Sequence, residues 1–338
     1  MNFDIWSIFS RVLIIYFIVA LGILIKKLSR TNKELIQMIF TYVLLYFVFP
    51  FLIITSILNA ELNINISIIL FTILFSFVVM ISGVLITWIY LRSKNIDSTQ
   101  KATTIICTSF PNSVFLPFPI ITLLIGIEGL IYATFFAMGY SIVYNTLGAW
   151  IAIKNSTKVN QNDKNYTLVV FKKLLLFPPT FSLIIGLIIK FIFKPNNTLD
   201  LLTWLPLDPE LIISIIDYLS FFSLFLALIV VGLTFETSFK SLKNINLLEA
   251  STIRLVITPS IGLAFIFLAV FIGLPISKII IIPIMIQAIS GPAVANIAFS
   301  EVFGLKTSIA STYITVITTL SLIWLFPVLT FLYVIFPI

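Results

Sequence analysis

Residues 109–119 read SFPNSVFLPFP, and residues 290–299 read SGPAVANIAF. Both segments lie inside long apolar stretches, although Pro111 and Pro292 each lack a backbone donor and clash with the preceding helical turn. A helix therefore cannot continue unbroken through either segment. Inside a membrane, such breaks are tolerated only where protein or a wet cavity surrounds them, and breaks in corresponding spans indicate a binding site.

The composition of the whole chain predicts a membrane protein around these breaks. Of the 338 residues, 60% are hydrophobic and 10% are charged, and the mean hydropathy is +1.18, whereas a soluble domain has about 25% charged residues. Apolar runs long enough to cross a bilayer as helices recur along the chain. We predict one all-α membrane domain of ten transmembrane helices. The ten predicted spans are residues 5–25, 35–58, 66–91, 102–125, 130–153, 174–193, 211–235, 247–273, 279–299 and 307–336.

Basic residues predict the orientation of the chain. Fifteen of the 20 Lys and Arg residues fall in loops on one side, including residues 154–173, and four fall on the other side. Because basic loops stay in the cytoplasm, we expect a cell-membrane protein with this loop in the cytoplasm and both termini outside. The net charge of +7 is concentrated at helix ends, so it does not indicate a nucleic-acid partner.

The two halves of the chain, residues 1–153 and 174–338, resemble each other. The first span ends ALGILIKKL around Gly22, and the sixth ends IIGLIIKFI around Gly186. Repeats of five spans enter the membrane from opposite sides, so this pair predicts an inverted repeat, which many secondary transporters have. The alternative is that apolar segments look alike without any relationship.

Polar residues in and near the breaks are the candidate binding residues. The N-terminus of a half-helix carries unpaired N–H groups and partial positive charge, which suits a carboxylate. The alternative is structural, because prolines also kink helices and amide side chains also join them. The predicted substrate-binding residues are Pro111, Asn112, Ser113, Asn145, Gln287, Ser290, Pro292 and Asn296.

The residue types that the sequence lacks limit the kinds of site that the protein can form. The sequence has one cysteine, Cys107, and no histidine, so we expect no disulfide, metal site or cofactor. An enzyme is disfavoured, since no intramembrane Asp pair or Ser/His arrangement is available. No Asp or Glu lies near the centre of a predicted span, and we interpret Arg254 as a cation that snorkels to the cytoplasmic surface. Transport should then follow the membrane potential without a titratable protein group, and sodium coupling stays open.

Four motifs resemble the auxin efflux carrier family, which comprises the PIN-like carriers of plants and prokaryotic relatives that include malate permeases. The motifs are FPNSVFLPFPI at residues 110–120, PPTFSLIIGLI at 178–188, IRLVITP at 253–259 and IQAISGP at 286–292. Pro117 stands where a glycine is common in relatives. Plant members carry an acid-base pair in the third helix of the transport unit, whereas residues 66–91 of this chain carry no charge.

The resemblance implies two inverted five-helix repeats whose broken fourth and ninth helices cross, with substrate bound beside the crossing. It also implies a scaffold of the first, second, sixth and seventh helices, a mobile transport unit, elevator-type transport and a homodimer. Our hypothesis is a carrier of small organic anions, auxin- or malate-like carboxylates, held by Asn112 and the ends of the broken helices. The rival is a membrane sensor or scaffold that binds a small ligand without transporting it.

Overall fold

The computed structural model describes residues 5–28, 33–59, 66–158, 178–193, 208–235 and 246–336. Most of the predicted connecting loop at 154–173 and the start of the sixth predicted span at 174 lie outside the described residues. Within these ranges all regular secondary structure is helical, and β-type pairing is limited to one isolated bridge. The prediction of an all-α protein is confirmed.

Fifteen α-helices are present in the described ranges. Three π-helical segments, Leu44–Val48, Tyr144–Gly148 and Ile253–Ile257, join α2 to α3, α7 to α8 and α11 to α12 as continuous helices. The helices are α1 (Ile5–Leu28), α2 (Lys33–Val43), α3 (Phe49–Asn59), α4 (Ile66–Arg92), α5 (Ser98–Ser109), α6 (Pro117–Leu124), α7 (Ile127–Val143), α8 (Ala149–Lys154), α9 (Pro178–Phe193), α10 (Pro209–Thr234), α11 (Leu247–Thr252), α12 (Thr258–Phe271), α13 (Lys278–Ile289), α14 (Ala295–Val302) and α15 (Thr307–Ile335).

Six helical stretches of the described chain are long and apolar enough to cross a bilayer. The helix lengths and the composition together identify a multi-pass membrane protein, as predicted, whereas the count of ten spans stays a prediction. The six stretches are Phe9–Leu28, Met38–Thr55, Ile66–Arg92, Glu128–Lys154, Leu247–Phe271 and Thr307–Ile335.

Both helix breaks that the prolines predict are present. The first separates α5 from α6 at residues 110–116, and the second separates α13 from α14 at residues 290–294. Pro117 occupies the first position of α6, where its missing N–H costs no helical hydrogen bond. Helix α5 begins four residues before the predicted start of the fourth span, because the Asp97 side chain caps it by accepting a hydrogen bond from the Gln100 N–H at 2.7 Å.

The helices pack in two groups. The scaffold group contains α1, α2, α3, α9 and α10, in which α1 packs along α10 and α9 packs along α3. The central group contains both broken helices together with α4, α7, α12 and α15. The two breaks therefore lie inside the central group, where other helices cover them.

A glycine brings α1 close to α10. A Cβ atom on Gly22 would lie 2.4 Å from the Ile229 carbonyl oxygen, so only glycine permits this approach. Four residues later, Lys26 Nζ donates to the Phe235 carbonyl oxygen at 2.8 Å. The lysine thus covers the C-terminal end of α10, where a cation is favourable.

The contact between α9 and α3 has the same two parts. A Cβ atom on Gly186 would lie 2.8 Å from Ile57 Cδ1, and Lys190 Nζ donates to the Leu58 carbonyl oxygen at 2.6 Å. Leu58 belongs to the last turn of α3. Gly22 and Gly186, which the sequence comparison pairs, therefore hold equivalent positions in two helix contacts.

Candidate functional site

The two helix breaks cross in the middle of the central group. The Asn112 N–H donates to the Gly291 carbonyl oxygen at 2.7 Å, and the Ala293 N–H donates to the Phe110 carbonyl oxygen at 3.1 Å. These bonds flank an antiparallel bridge between Pro111 and Pro292. Proline frees backbone groups in both helices, and at the crossing each break supplies partners for the other.

Asn112 closes the first break with its own side chain. Its Oδ1 accepts a hydrogen bond from the Phe115 N–H at 3.1 Å, which forms a turn ahead of α6. Asn112 and Ser113 are both buried. The side-chain Nδ2 of Asn112 makes no hydrogen bond within the described residues.

Gln287 joins the second broken helix to the first. Its Nε2 donates to the Ser113 carbonyl oxygen at 2.8 Å and to the Ala133 carbonyl oxygen at 2.9 Å. Its Oε1 is buried and has no hydrogen-bond partner in the described structure. The Ser290 hydroxyl instead donates to the Ile286 carbonyl oxygen of its own helix at 2.7 Å.

Asn296 lies on the other side of the crossing. Its Nδ2 contacts the Ile106 carbonyl oxygen of α5 at 3.5 Å, while its Oδ1 is buried without a partner in the described chain. The buried hydroxyls of Ser109 and Ser300, at the ends of α5 and α14, also lack one there. Such atoms are rare in proteins and mark places where water, an ion or a ligand completes the hydrogen bonding.

Asn145 is the predicted residue that the crossing does not include. Its Nδ2 donates to the carbonyl and hydroxyl oxygens of Ser141, one turn back on the same helix, at 2.8 and 3.2 Å. It lies in the π-helical segment Tyr144–Gly148, a distortion that is frequent at functional sites. The neighbouring Tyr144 ring packs edge-on against Phe110 with 5.2 Å between centroids. Asn145 therefore neighbours a residue that packs against the first break, but Asn145 itself makes no hydrogen bond to the break in the described structure.

The guanidinium of Arg254 is the largest correction to the sequence-based predictions. Arg254 does not snorkel, because its exposed fraction is 0%. Its Nε donates to the Ser290 carbonyl oxygen at 2.9 Å, and its Nη2 donates to the Ala288 carbonyl oxygen at 2.7 Å. The side chain therefore covers the C-terminal end of α13, directly before the second break, where the helix dipole favours a cation.

One nitrogen of this guanidinium makes no hydrogen bond to any described residue. Nη1 of Arg254 is buried without a hydrogen-bond partner, and no carboxylate pairs with Arg254 in the described part of the chain. A buried charge is costly unless it is paired and fully hydrogen-bonded. An arginine within a predicted span is by default a functional candidate. That default would have found the residue from the sequence.

Gly291 lets α15 approach the crossing. A Cβ atom at this position would lie 2.6 Å from Thr318 Cα and 2.8 Å from the Thr318 backbone nitrogen. Any larger residue would push α15 away from the second break.

Seven of the eight predicted residues lie in or directly beside the crossing, and Arg254 joins them there.

Comparison with known proteins finds transport proteins. A family model described as "Membrane transport protein" matches residues 7–330 of the chain. An "Uncharacterized transporter" of Methanothermobacter thermautotrophicus (strain Delta H) is 24% identical over 203 residues, which cover 59% of this chain and 60% of the relative. The match thus spans less than two thirds of that relative's length.

Proposed function

The chain belongs to the membrane transport protein family, the auxin efflux carrier family that the motifs indicated, and we propose that it is a secondary transporter of small organic anions. The observation that carries this proposal is the buried Arg254 guanidinium beside the helix crossing, whose Nη1 makes no hydrogen bond in the described structure. A carboxylate from the substrate would provide the missing counter-charge. Arginine binds carboxylates through charge-assisted hydrogen bonds.

Uncharged groups around the crossing complete the proposed site. The Asn112 Nδ2 makes no hydrogen bond in the described structure, and α6 and α14 begin six and three residues after the bridged prolines, so their positive N-terminal ends lie close in the chain to the crossing. Gln287 and Asn296 add buried oxygens without partners that would accept hydrogen bonds from a hydroxyl or N–H of the substrate. We therefore favour auxin- or malate-like acids over simple inorganic anions, because they carry such donors.

The transport cycle that we propose is of the elevator type, with the central group moving against the scaffold group. Two inverted five-helix repeats, residues 1–153 and 174–338 with a cytoplasmic connection at 154–173, would provide the symmetry for it. The equivalent glycine and lysine contacts of α1 and α9 support this repeat. Following the resemblance, we extend the proposal to a homodimer with both termini outside the cell membrane.

Counterflow in proteoliposomes tests the proposal. Labelled malate or indole acetate should exchange against the same unlabelled acid, whereas the corresponding uncharged amides should not compete. Because residues 66–91 and the crossing contain no carboxylate, uptake should persist when a pH gradient is collapsed at clamped potential and constant substrate ionisation. Binding of the acids without any counterflow would instead identify a sensor or scaffold.

A further inference from the structure

A groove of about 380 Å³ lies between α12, α13 and α15, and Ile289 at its inner end directly precedes the second break. Leu263, Met285 and Ile289 line it, while Trp324 and Phe331 form its rim. Both rim residues are more than 40% exposed, so the groove opens toward the bilayer.

Two prolines at irregular places of the helices line the same groove. Pro259 lies in the first turn of α12, directly after a π-helical segment, and Pro327 lies inside α15. Helices bend at such positions. The bends of α12 and α15 therefore account for the space between them. Its lining is apolar apart from the Ser260 hydroxyl and the Trp324 indole N–H. A polar headgroup would not fit there, whereas an acyl chain would.

The face of α13 that lines the groove ends in a cation. Lys278, Met285 and Ile289 lie at helical spacings that place them on one face, and Lys278 is about 10 Å along the axis from Met285. Lys278 Nζ lies 4.1 Å from the centre of the Tyr333 ring and 3.4 Å from the Tyr333 carbonyl oxygen. No carboxylate pairs with Lys278 in the described structure, so its ammonium keeps donors for a phosphate.

We propose that the groove and Lys278 form a binding site for an anionic phospholipid. One acyl chain fills the groove, and the phosphate lies at Lys278. The bilayer supplies this molecule at high concentration. Its acyl chain would lie at the groove beside Met285 and Ile289, and its negative headgroup would reach Lys278 at the start of α13. The choline of a zwitterionic lipid would place a second cation next to Lys278. The proposal does not depend on the transported substrate.

Trp324 makes the groove directly measurable. In a variant with Trp6, Trp88, Trp150 and Trp204 changed to Phe, the remaining fluorescence reports on Trp324 alone. The full chain is reconstituted with phosphatidylglycerol or phosphatidylcholine that carries bromine in the middle of the acyl chain. Brominated phosphatidylglycerol should bind with about fivefold preference, the worth of one basic residue near a membrane surface.

Two further variants separate this site from general contact with lipid. Lys278→Gln should abolish the preference, and Ser260→Phe, which fills the groove, should weaken quenching by both lipids. Equal quenching at Trp324, or a preference that survives Lys278→Gln, would overturn the proposal.

Discussion

The two helix breaks meet the same backbone problem in different ways. At the first break, the uncharged Asn112 side chain accepts a hydrogen bond from the Phe115 N–H. At the second break, the carbonyls that end α13 are covered by Arg254, a charged residue from another helix. Arg254 precedes Pro292 in the chain by the same number of residues as the apolar Ile73 precedes Pro111. The first break therefore has no equivalent cation.

This difference makes the crossing electrostatically one-sided. The Asn112 side-chain oxygen is used within its own turn. A guanidinium has five N–H donors, which is more than the carbonyls at the end of α13 accept. The surplus donor and the positive charge remain at the second break. In the proposed site, two similar backbone geometries would thus favour a ligand of negative charge.

Removal of the cation should have the largest effect. Arg254→Gln should weaken carboxylate binding by about 100-fold or more, on the order of 3 kcal/mol, because it leaves the buried anion without its partner. The dissociation constant is measured by calorimetry on purified protein. The control is Lys306→Gln, which removes an exposed cation paired with Asp97 and should leave the constant nearly unchanged. An unchanged constant in Arg254→Gln would reduce Arg254 to a cover for the α13 carbonyls.

Changes at Asn112 come next. Asn112→Ala removes both the amide donor and the oxygen that accepts from Phe115, whereas Asn112→Ser keeps an oxygen for the turn. If Asn112 donates to the anion, both variants should lose about 10- to 150-fold in affinity, or about 1.5–3 kcal/mol, and only Asn112→Ala should also melt at lower temperature. Asn296→Ala is the partner test at the second break.

The outcome at Asn112 distinguishes a binding residue from a cap. Unchanged affinity in both Asn112 variants, together with a lower melting temperature for Asn112→Ala, would assign the residue to the turn alone. The first break would then have a structural role only, and the second break alone would bind the ligand.

Glycine substitutions compare the packing of the two breaks. Gly291→Ala forces a Cβ against the Thr318 backbone, which cannot yield, and should destabilise the protein by about 1–3 kcal/mol. Gly148→Ala places a Cβ 3.1 Å from the Phe110 ring, which can tilt, so its cost should be smaller. Thermal unfolding in detergent measures both. Equal melting temperatures would show that the second break is not the more tightly packed one.

The smallest effects lie where the first halves of the broken helices begin. Asp97 caps α5, whereas Ser277 makes no side-chain cap on α13. Asp97→Ala should cost about 1 kcal/mol, Asp97→Asn less because asparagine also caps helices, and Ser277→Ala almost nothing. The exposed ion pair of Asp97 with Lys306 adds at most about 1 kcal/mol. A Ser277→Ala loss as large as that of Asp97→Ala would contradict this asymmetry.

The cap of α5 should also depend on pH. The Thr99 hydroxyl holds the pKa of Asp97 below its usual value, with help from the Gln100 N–H and Lys306. A lowered pKa means that the stabilisation is present above the unfolded pKa of about 3.9 and is lost as the pH falls through the lower folded value. Thermal scans between pH 6 and pH 3 should therefore show a smaller acid loss in Asp97→Asn than in the unmodified protein.

Sequence reasoning was strongest where one residue type decides the outcome. Pro111 and Pro292 cannot continue a helix, so both breaks followed from their positions, and the apolar runs predicted the membrane-spanning helices. The same reasoning was wrong about Arg254. Its distance from the end of a span is readable along the chain, but the face on which it lies and the groups opposite it are not.

By itself, the amino-acid sequence determined the membrane class, the all-helical structure, the family and the places where two helices break, because these depend on hydropathy and on the chemistry of single residues. Only the tertiary structure decided what lies opposite each break. It paired the Asn112 N–H with Gly291, directed Gln287 toward Ser113, and buried Arg254 against the end of α13. These contacts join residues far apart in the chain, so the packing of whole helices sets them.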